Sequence, residues 1–379
     1  MSSKKIRLGL VGGGIGAFIG EVHRIAARLD DRYELVAGAF SSEPRRAADS
    51  AAELRIDPAR SYNSFEEMAK KESKLRQGIE VVSIVTPNHL HCPAAKAFLK
   101  AGIHVICDKP LSTTLEDAEE VESLVKESGL IFAITYNYSG YPMVRHAREM
   151  VASGKLGNIR VIQVEYAQDW LATNIEAKGQ KQAAWRTDPE LAGPGGSIGD
   201  IGTHAFHLAE FISGLEAKSL LADLDTFVSG RKLDDNANIL LHYSNGAKGM
   251  LWSSQVASGQ ENALRIRLFG DKGGLEWAQE DPNYLHYTQL GESHQVLTRG
   301  GHGLAEAAVS ATRTPAGHPE GFLEGFANLY RDIADMIEAN RTGKSLTTLV
   351  PDVTDGVKGI RFVEKAVNSS AAGSIWQHL

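Results

Sequence analysis

Asp200 and His204 stand four residues apart at the end of a glycine-rich run, Gly193-Pro194-Gly195-Gly196-Ser197-Ile198-Gly199-Asp200-Ile201-Gly202-Thr203-His204. If a helix begins near Asp200, the two share a face, and the carboxylate can orient the imidazole and stabilise its charged form. That pairing suits proton transfer near neutral pH. The same spacing also suits two metal ligands, but no third ligand stands nearby and no metal is expected. His207, a further histidine on that stretch, is expected to be structural. Lys109, in Cys107-Asp108-Lys109-Pro110, follows a strand-like run. A lysine at the carboxyl edge of a parallel sheet and near a cationic ring would have a lowered pKa, fitting it to bind a hydroxyl or carry its proton. As a bare dipeptide, Lys-Pro after a strand is more often a turn. The third feature is Val11-Gly12-Gly13-Gly14-Ile15-Gly16. Glycines between a strand and a helix let the backbone turn tightly and approach a pyrophosphate at the helix N-terminus. Alone, such a run is an ordinary flexible turn. The third glycine role stays open between Ala17 and Gly20.

Positioning these groups takes a particular arrangement of elements. Over residues 1–135, branched apolar runs alternate with helical stretches, as in a parallel sheet wrapped by helices. Strands are predicted at Ile6 to Val11, Glu34 to Phe40, Val81 to Thr86, His104 to Cys107 and Ile131 to Tyr136. Ser64 and Thr114 read as helix N-caps. The polar stretch 70–77 reads as a solvated helix end. At the second strand's end, where an acid would bind the ribose hydroxyls of NAD, the chain has Ser41. Ser42, Arg45 and Arg46 can hold a 2′-phosphate, so the cofactor is NAD or NADP with a lean to NADP. The plainer alternative makes both arginines surface residues. Residues 136–379 read differently: a helix at Pro142 to Ala152, a strand at Ile159 to Tyr166, the glycine-rich turn, then strands joined by hairpin signals at Asn245-Gly246 and Asp271-Lys272-Gly273. Two helices close the chain, near 319–340 and 352–368. The unpatterned stretch 291–317 is expected to be a lid or disordered.

The chain has 379 residues, 42% of them hydrophobic and 23% charged, an ordinary globular mixture that disfavours disorder or a coiled coil. At about 150 residues per domain, two domains around a cleft are the natural expectation. Forty basic against 47 acidic residues give a net charge of −7, which counts against a nucleic-acid partner. The N-terminus lacks a signal-peptide pattern, and no apolar stretch approaches the ~18 residues that span a bilayer. A cytoplasmic protein with no membrane partner is expected. Two cysteines in a chain of this size leave the fold independent of disulfides.

Taken in order, the glycine turn, Thr86-Pro87-Asn88 with His91, Gly102-Ile103-His104-Val105-Ile106-Cys107-Asp108-Lys109-Pro110, and Asp200-Ile201-Gly202-Thr203-His204 resemble the Gfo/Idh/MocA family of NAD(P)-dependent oxidoreductases over nearly the whole chain. Two departures stand out: Asp-Lys-Pro replaces the usual Glu-Lys-Pro, and the glycine loop carries an insertion. The resemblance implies an α/β protein with an N-terminal Rossmann doubly wound parallel sheet. It implies a C-terminal α/β domain with a largely antiparallel open sheet that mediates dimers or tetramers. It implies Lys109, Asp200 and His204 as the catalytic group. Gly12, Gly14, Phe18, Ile19, Ser41, Ser42, Arg46, Thr86, Pro87, Asn88, His91, Asp108, Lys109, Asn137, Trp185 and Arg186 are the expected cofactor contacts. Tyr138, Tyr166, Trp170 and His318 join the catalytic three as the expected substrate contacts, although tyrosine and tryptophan are equally at home in a core. The expected activity is oxidation of a secondary alcohol on a sugar, sugar derivative or cyclitol. His204 would take the proton, with Asp200 orienting it and Lys109 on the same oxygen; Lys109 and His204 can exchange roles. Two other activities stay open: redox-assisted glycoside cleavage with a tightly bound nucleotide, and non-catalytic nucleotide-dependent regulation.

Overall fold

The computed structural model describes residues 4–379. In chain order the elements are β1 (Ile6–Gly12), α1 (Phe18–Leu29), β2 (Tyr33–Ala39), α2 (Pro44–Glu53), α3 (Phe65–Glu72), β3 (Val81–Val85), α4 (His91–Lys100), β4 (His104–Cys107), α5 (Leu115–Ser128) and β5 (Phe132–Ile134). There follow α6 (Pro142–Ala152), β6 (Ile159–Ala167), α7 (Lys181–Arg186), α8 (Pro189–Ala192), α9 (Thr203–Ser213), β7 (Ala217–Asp225), β8 (Asn236–Tyr243), β9 (Lys248–Ser254), β10 (Ala263–Gly270) and β11 (Gly273–Ala278). Last come β12 (Tyr284–Gln289), β13 (Gln295–Thr298), α10 (Glu306–Ser310), α11 (Phe322–Arg341), α12 (Val353–Ala371) and β14 (Gln377–His378).

The chain forms two compact units, one of residues 1–137 and 322–357, the other of 138–321 and 358–379. The sequence-based division after residue 135 falls beside the first crossing, whereas the return at 322 has no sequence signal of its own. In the first unit a parallel sheet runs in the order β2-β1-β3-β4-β5. All five residues of β3 are buried, as expected of a strand covered on both faces. Ser64 caps α3 by accepting from the Glu67 amide, and Thr114 caps α5 by accepting from that of Asp117, the two helix starts the sequence marked. The polar stretch 70–77 is less solvated than expected where it overlaps the end of α3. Glu72 is buried and accepts from Arg60 Nε and Tyr62 Oη. Helix α11 supplies much of the core: Phe326, Ala327, Leu329, Tyr330, Ile333, Ala334 and Ile337 cluster with Ile6 and Leu8 of β1 and Val22 and Ala26 of α1.

The second unit is built on a nine-stranded sheet, ordered β13-β12-β11-β10-β6-β9-β8-β7-β14. Only β6 and β9 pair in parallel; every other neighbouring pair is antiparallel. Asn245-Gly246 turns β8 into β9, with Gly246 at φ 88° and Asn245 Oδ1 accepting from Ala247 N. The stretch 291–317 is not an unstructured lid: it contains β13 and α10 and is clamped by a buried pair. Arg299 Nη1 lies 3.1 Å from Glu320 Oε1, which also accepts from the amides of Arg313 and Thr314. Weak periodicity concealed this order because the clamp is made by side chains rather than by an apolar stripe.

Candidate active site

In the first unit the glycine turn has the form a bound anion needs. Gly12 and Gly13 have φ of 79° and 66°, a region that glycine enters without strain. The open question of the third glycine resolves to Gly20: a Cβ there would lie 2.3 Å from Gly13 Cα, so helix α1 packs against the turn only with hydrogen at that position. Ile15 N donates to Ser50 Oγ at 3.1 Å, holding the inserted loop. Phe18 is 69% exposed, and Ile19 packs partly buried against the core.

At the carboxyl edge of the sheet, Thr86 Oγ1, His89 Nδ1 and Asn137 Nδ2 are buried with no hydrogen-bond partner. Buried polar atoms cost free energy unless paired, and the edge of a parallel sheet is where ligands bind. Together with the glycine turn they fit a dinucleotide. His91 is different: its Nδ1 faces Pro110 O at 2.7 Å and its Nε2 faces Thr86 O at 2.8 Å. Both ring nitrogens face carbonyl oxygens within the protein, and whichever carries the proton donates to a strand end. Burial lowers its pKa, against the raising effect of Asp108 and the two carbonyls. Asp108 also points inward, accepting from Thr135 Oγ1 at 2.7 Å and lying 4.0 Å from His23 Nε2. Lys109 follows it at a cis peptide to Pro110. At the end of β2, Ser41 Oγ accepts from Glu43 N, and Arg46 is exposed with Nη2 3.5 Å from Ile15 O.

In the second unit the glycine run enters a turn of π-helix, Ile198–Gly202, which continues into α9. Asp200 therefore sits in the wide turn and His204 in the first turn of α9. Such π turns recur at functional sites, and no sequence rule applied above would have placed one here. Gln255 Nε2 donates to Asp200 Oδ2 at 2.9 Å, and Arg186 Nε lies 3.4 Å from the same oxygen. Arg186 also donates to Gln182 Oε1 and lies over the Trp185 ring at 4.2 Å and the Trp170 ring at 5.9 Å. Trp185 Nε1 shares Gln182 Oε1. The His204 ring meets that of Tyr138 edge-on, centroids 4.9 Å apart, with Tyr166 at 6.2 Å.

A hydroxyl chain runs through this ring cluster. Asn262 Oδ1 accepts from Tyr166 Oη at 2.8 Å and from Gln168 Nε2 at 2.7 Å, while its Nδ2 donates to Gln279. With the Tyr166 proton committed to Asn262, Tyr138 must donate in its 2.5 Å contact with Tyr166. Burial pushes the Tyr138 hydroxyl up to about 12 and that of Tyr166 well above its usual value, so both stay protonated.

Of the residues chosen from sequence, Arg186 meets Asp200 and Trp170, and Tyr138 meets Tyr166 and His204, two groups within one unit. His318 has an exposed side chain, and its carbonyl accepts from Arg299 and Thr314. His207 is stacked on Phe211, in keeping with a structural role. Gln255, Asn262, Gln168 and Asp234 were not singled out from sequence; the acidic pair Asp234-Asp235 ahead of a strand was the only visible signal. Among the described residues no group of three or more His, Cys, Asp or Glu could hold a metal ion, and no helix is long and apolar enough to cross a membrane.

Two family models match the chain: an oxidoreductase-family NAD-binding Rossmann fold over residues 6–136, and the GFO/IDH/MocA C-terminal domain over 144–276. An uncharacterized oxidoreductase of Bacillus subtilis, YfiI, is 40% identical over 99% of this chain and 97% of its own. The crystal structure of an inositol dehydrogenase homolog from Azotobacter vinelandii complexed with NADH and myo-inositol superposes with a TM-score of 0.93 at 36% identity, covering 100% of this chain and 98% of that one. Levoglucosan dehydrogenase of Pseudarthrobacter phenanthrenivorans is 26% identical over 98% of each chain.

Proposed function

Since the chain belongs to the Gfo/Idh/MocA family of NAD-binding oxidoreductases, we propose that it oxidises a secondary alcohol of a neutral sugar, sugar derivative or cyclitol. The observation that carries this reading is the second unit's acid–imidazole set, Asp200 held by Gln255 and His204 packed against Tyr138, in a chain whose other unit carries a dinucleotide turn. The substrates in the names of the inositol and levoglucosan relatives support the substrate class. A bound nicotinamide supplies the acceptor for the hydride that leaves the carbinol carbon.

The residues divide the remaining work. His204 takes the hydroxyl proton, imidazole being the side chain that most often serves in such transfers. Asp200 favours the imidazolium that results. Lys109 binds the alcohol oxygen as it loses its proton. A neutral substrate is favoured because Arg186 is engaged with Asp200, Gln182 and two indole rings, an arrangement that satisfies its charge within the protein. His204→Ala and Lys109→Ala should each lower kcat by about 100-fold or more while nucleotide binding is kept. The check is a screen of inositols, aldoses, anhydrosugars and glycosides, read by nicotinamide absorbance and product analysis. Near wild-type turnover in both variants sinks the assignment, and glycoside cleavage without net absorbance change would replace it with transient redox chemistry.

For the cofactor, Ser41, Ser42 and Arg46 at the end of β2 offer hydroxyls and a cation to a 2′-phosphate, and we infer that NADP is accepted. Arg46→Ala should raise KM for NADP by about tenfold and leave that for NAD unchanged; equal effects on both would count against it. The open face of the nine-stranded sheet presents Leu240, Met250 and Phe269, each more than 40% exposed, and supports a homodimer or homotetramer. Light scattering of Met250→Glu should show a smaller assembly than the wild type. Buried free thiols at Cys92 and Cys107 accord with a cytoplasmic setting.

A further inference from the structure

Asp234, two residues before β8, holds three successive amides of the glycine-rich turn. Its Oδ1 accepts from Gly196 N at 2.6 Å, its main-chain oxygen from Ser197 N at 2.9 Å, and its Oδ2 from Ile198 N at 2.8 Å. The approach is so close that a Cβ on Gly196 would lie 2.1 Å from Asp234 O. The π turn grows directly from this anchor, since Asp200 N donates to Gly196 O at 2.9 Å. The next residue along completes the arrangement: Asp235 O accepts from Gln255 N at 2.8 Å, and Gln255 is the residue whose amide side chain holds Asp200 Oδ2. One dipeptide at a strand start therefore sets the main chain of Asp200 through one residue and its carboxylate through the other.

We propose that Asp234 is a positioning residue for the acid–imidazole set: by gripping Gly196 to Ile198 it fixes the π turn that aims Asp200 and starts the helix carrying His204. The catalytic consequence rests on the dehydrogenase reading above; the structural part does not. The grip requires a carboxylate, because both oxygens accept from an amide, and an asparagine offers only one acceptor. Burial raises the pKa of Asp234 to about 6, opposed by the Ile198 and Gly196 amides, whose hydrogen bonds favour the charged form.

The test compares Asp234→Asn and Asp234→Ser with wild-type protein and with Ser369→Ala, which removes a buried hydrogen bond to Ala222 N in the same unit but away from the turn. Amide hydrogen exchange over residues 193–205 should speed up about tenfold or more in the Asp234 variants and stay unchanged in Ser369→Ala. In the polyol assay kcat should fall about tenfold or more with KM and nucleotide affinity held within about threefold, whereas Ser369→Ala loses melting temperature without losing kcat. Unchanged exchange overturns the proposal, as does faster exchange with undiminished kcat. If neither Asp234 variant folds, Asp234 is a folding residue and the positioning role is likewise overturned. Should the wild type turn over no polyol at all, the dehydrogenase reading fails, and the exchange measurement alone decides whether Asp234 holds the turn.

Discussion

His23 shows what burial does to a single titratable side chain. It lies in α1 with Nδ1 2.8 Å from Tyr330 Oη and 3.1 Å from Ser83 Oγ. Desolvation drives its pKa from 6.5 to about 4, against the pull of Asp108 and with Arg24 and His91 adding to the fall. A depressed folded-state pKa contributes stability that is fully present above pH 6.5 and is lost as pH falls through about 4. At 1.36 kcal/mol per unit the loss is about 3 kcal/mol. His23→Asn, which keeps a group at the Nδ1 position, should flatten the dependence of unfolding free energy on pH between those limits. Urea melts at a series of pH values check it, and an unchanged slope would show that another group governs the acid limb. At this scale the sequence was informative about chemistry and silent about partners. Lys109, Asp200 and His204 stood out by type and spacing, but nothing local could say that His91 has both ring nitrogens facing carbonyl oxygens. Nor could it say that an asparagine near residue 262 fixes the direction of a tyrosine hydroxyl.

Elements were legible where one local rule decides them. Helix α6 begins and ends where its proline and apolar face say it should, and the caps of α3 and α5 form on Ser64 and Thr114. The elements that were not legible depend on distant chain: the π turn needs Asp234, 34 positions after Asp200, and the stretch 291–317 needs Glu320. That clamp makes its own prediction. Glu320 receives Arg299, two amides and the Thr314 hydroxyl on one oxygen. Removing one partner of a buried ion pair typically costs 3–5 kcal/mol. Glu320→Ala should therefore free the segment and expose Arg313 to trypsin. Limited proteolysis should give a new cut after Arg313 in the variant and none in the wild type; resistance in both would mean that Asn283 and the carbonyls around Arg299 suffice.

The molecule as a whole is organised by a chain that leaves its first compact unit at residue 137 and returns at 322. Alternation of strands and helices revealed the first unit's sheet, yet the apolar stripe of α11 carries no label saying which sheet it covers. A fragment of residues 1–137 should stay aggregation-prone and bind nucleotide weakly, because it lacks the α11 side chains that pack on Ile6, Leu8, Val22 and Ala26. Joining residues 322–357 to it through a flexible linker should restore a cooperative thermal transition; failure to do so would mean that the second unit is required as well.

That return also sets a timetable at the ribosome. At about 10 residues per second, roughly 20 seconds of synthesis separate the last residue of β5 from the end of α11. Throughout that interval the β1 and α1 side chains that pack on α11 stay uncovered, so the nascent chain is the form of this protein most in need of a chaperone.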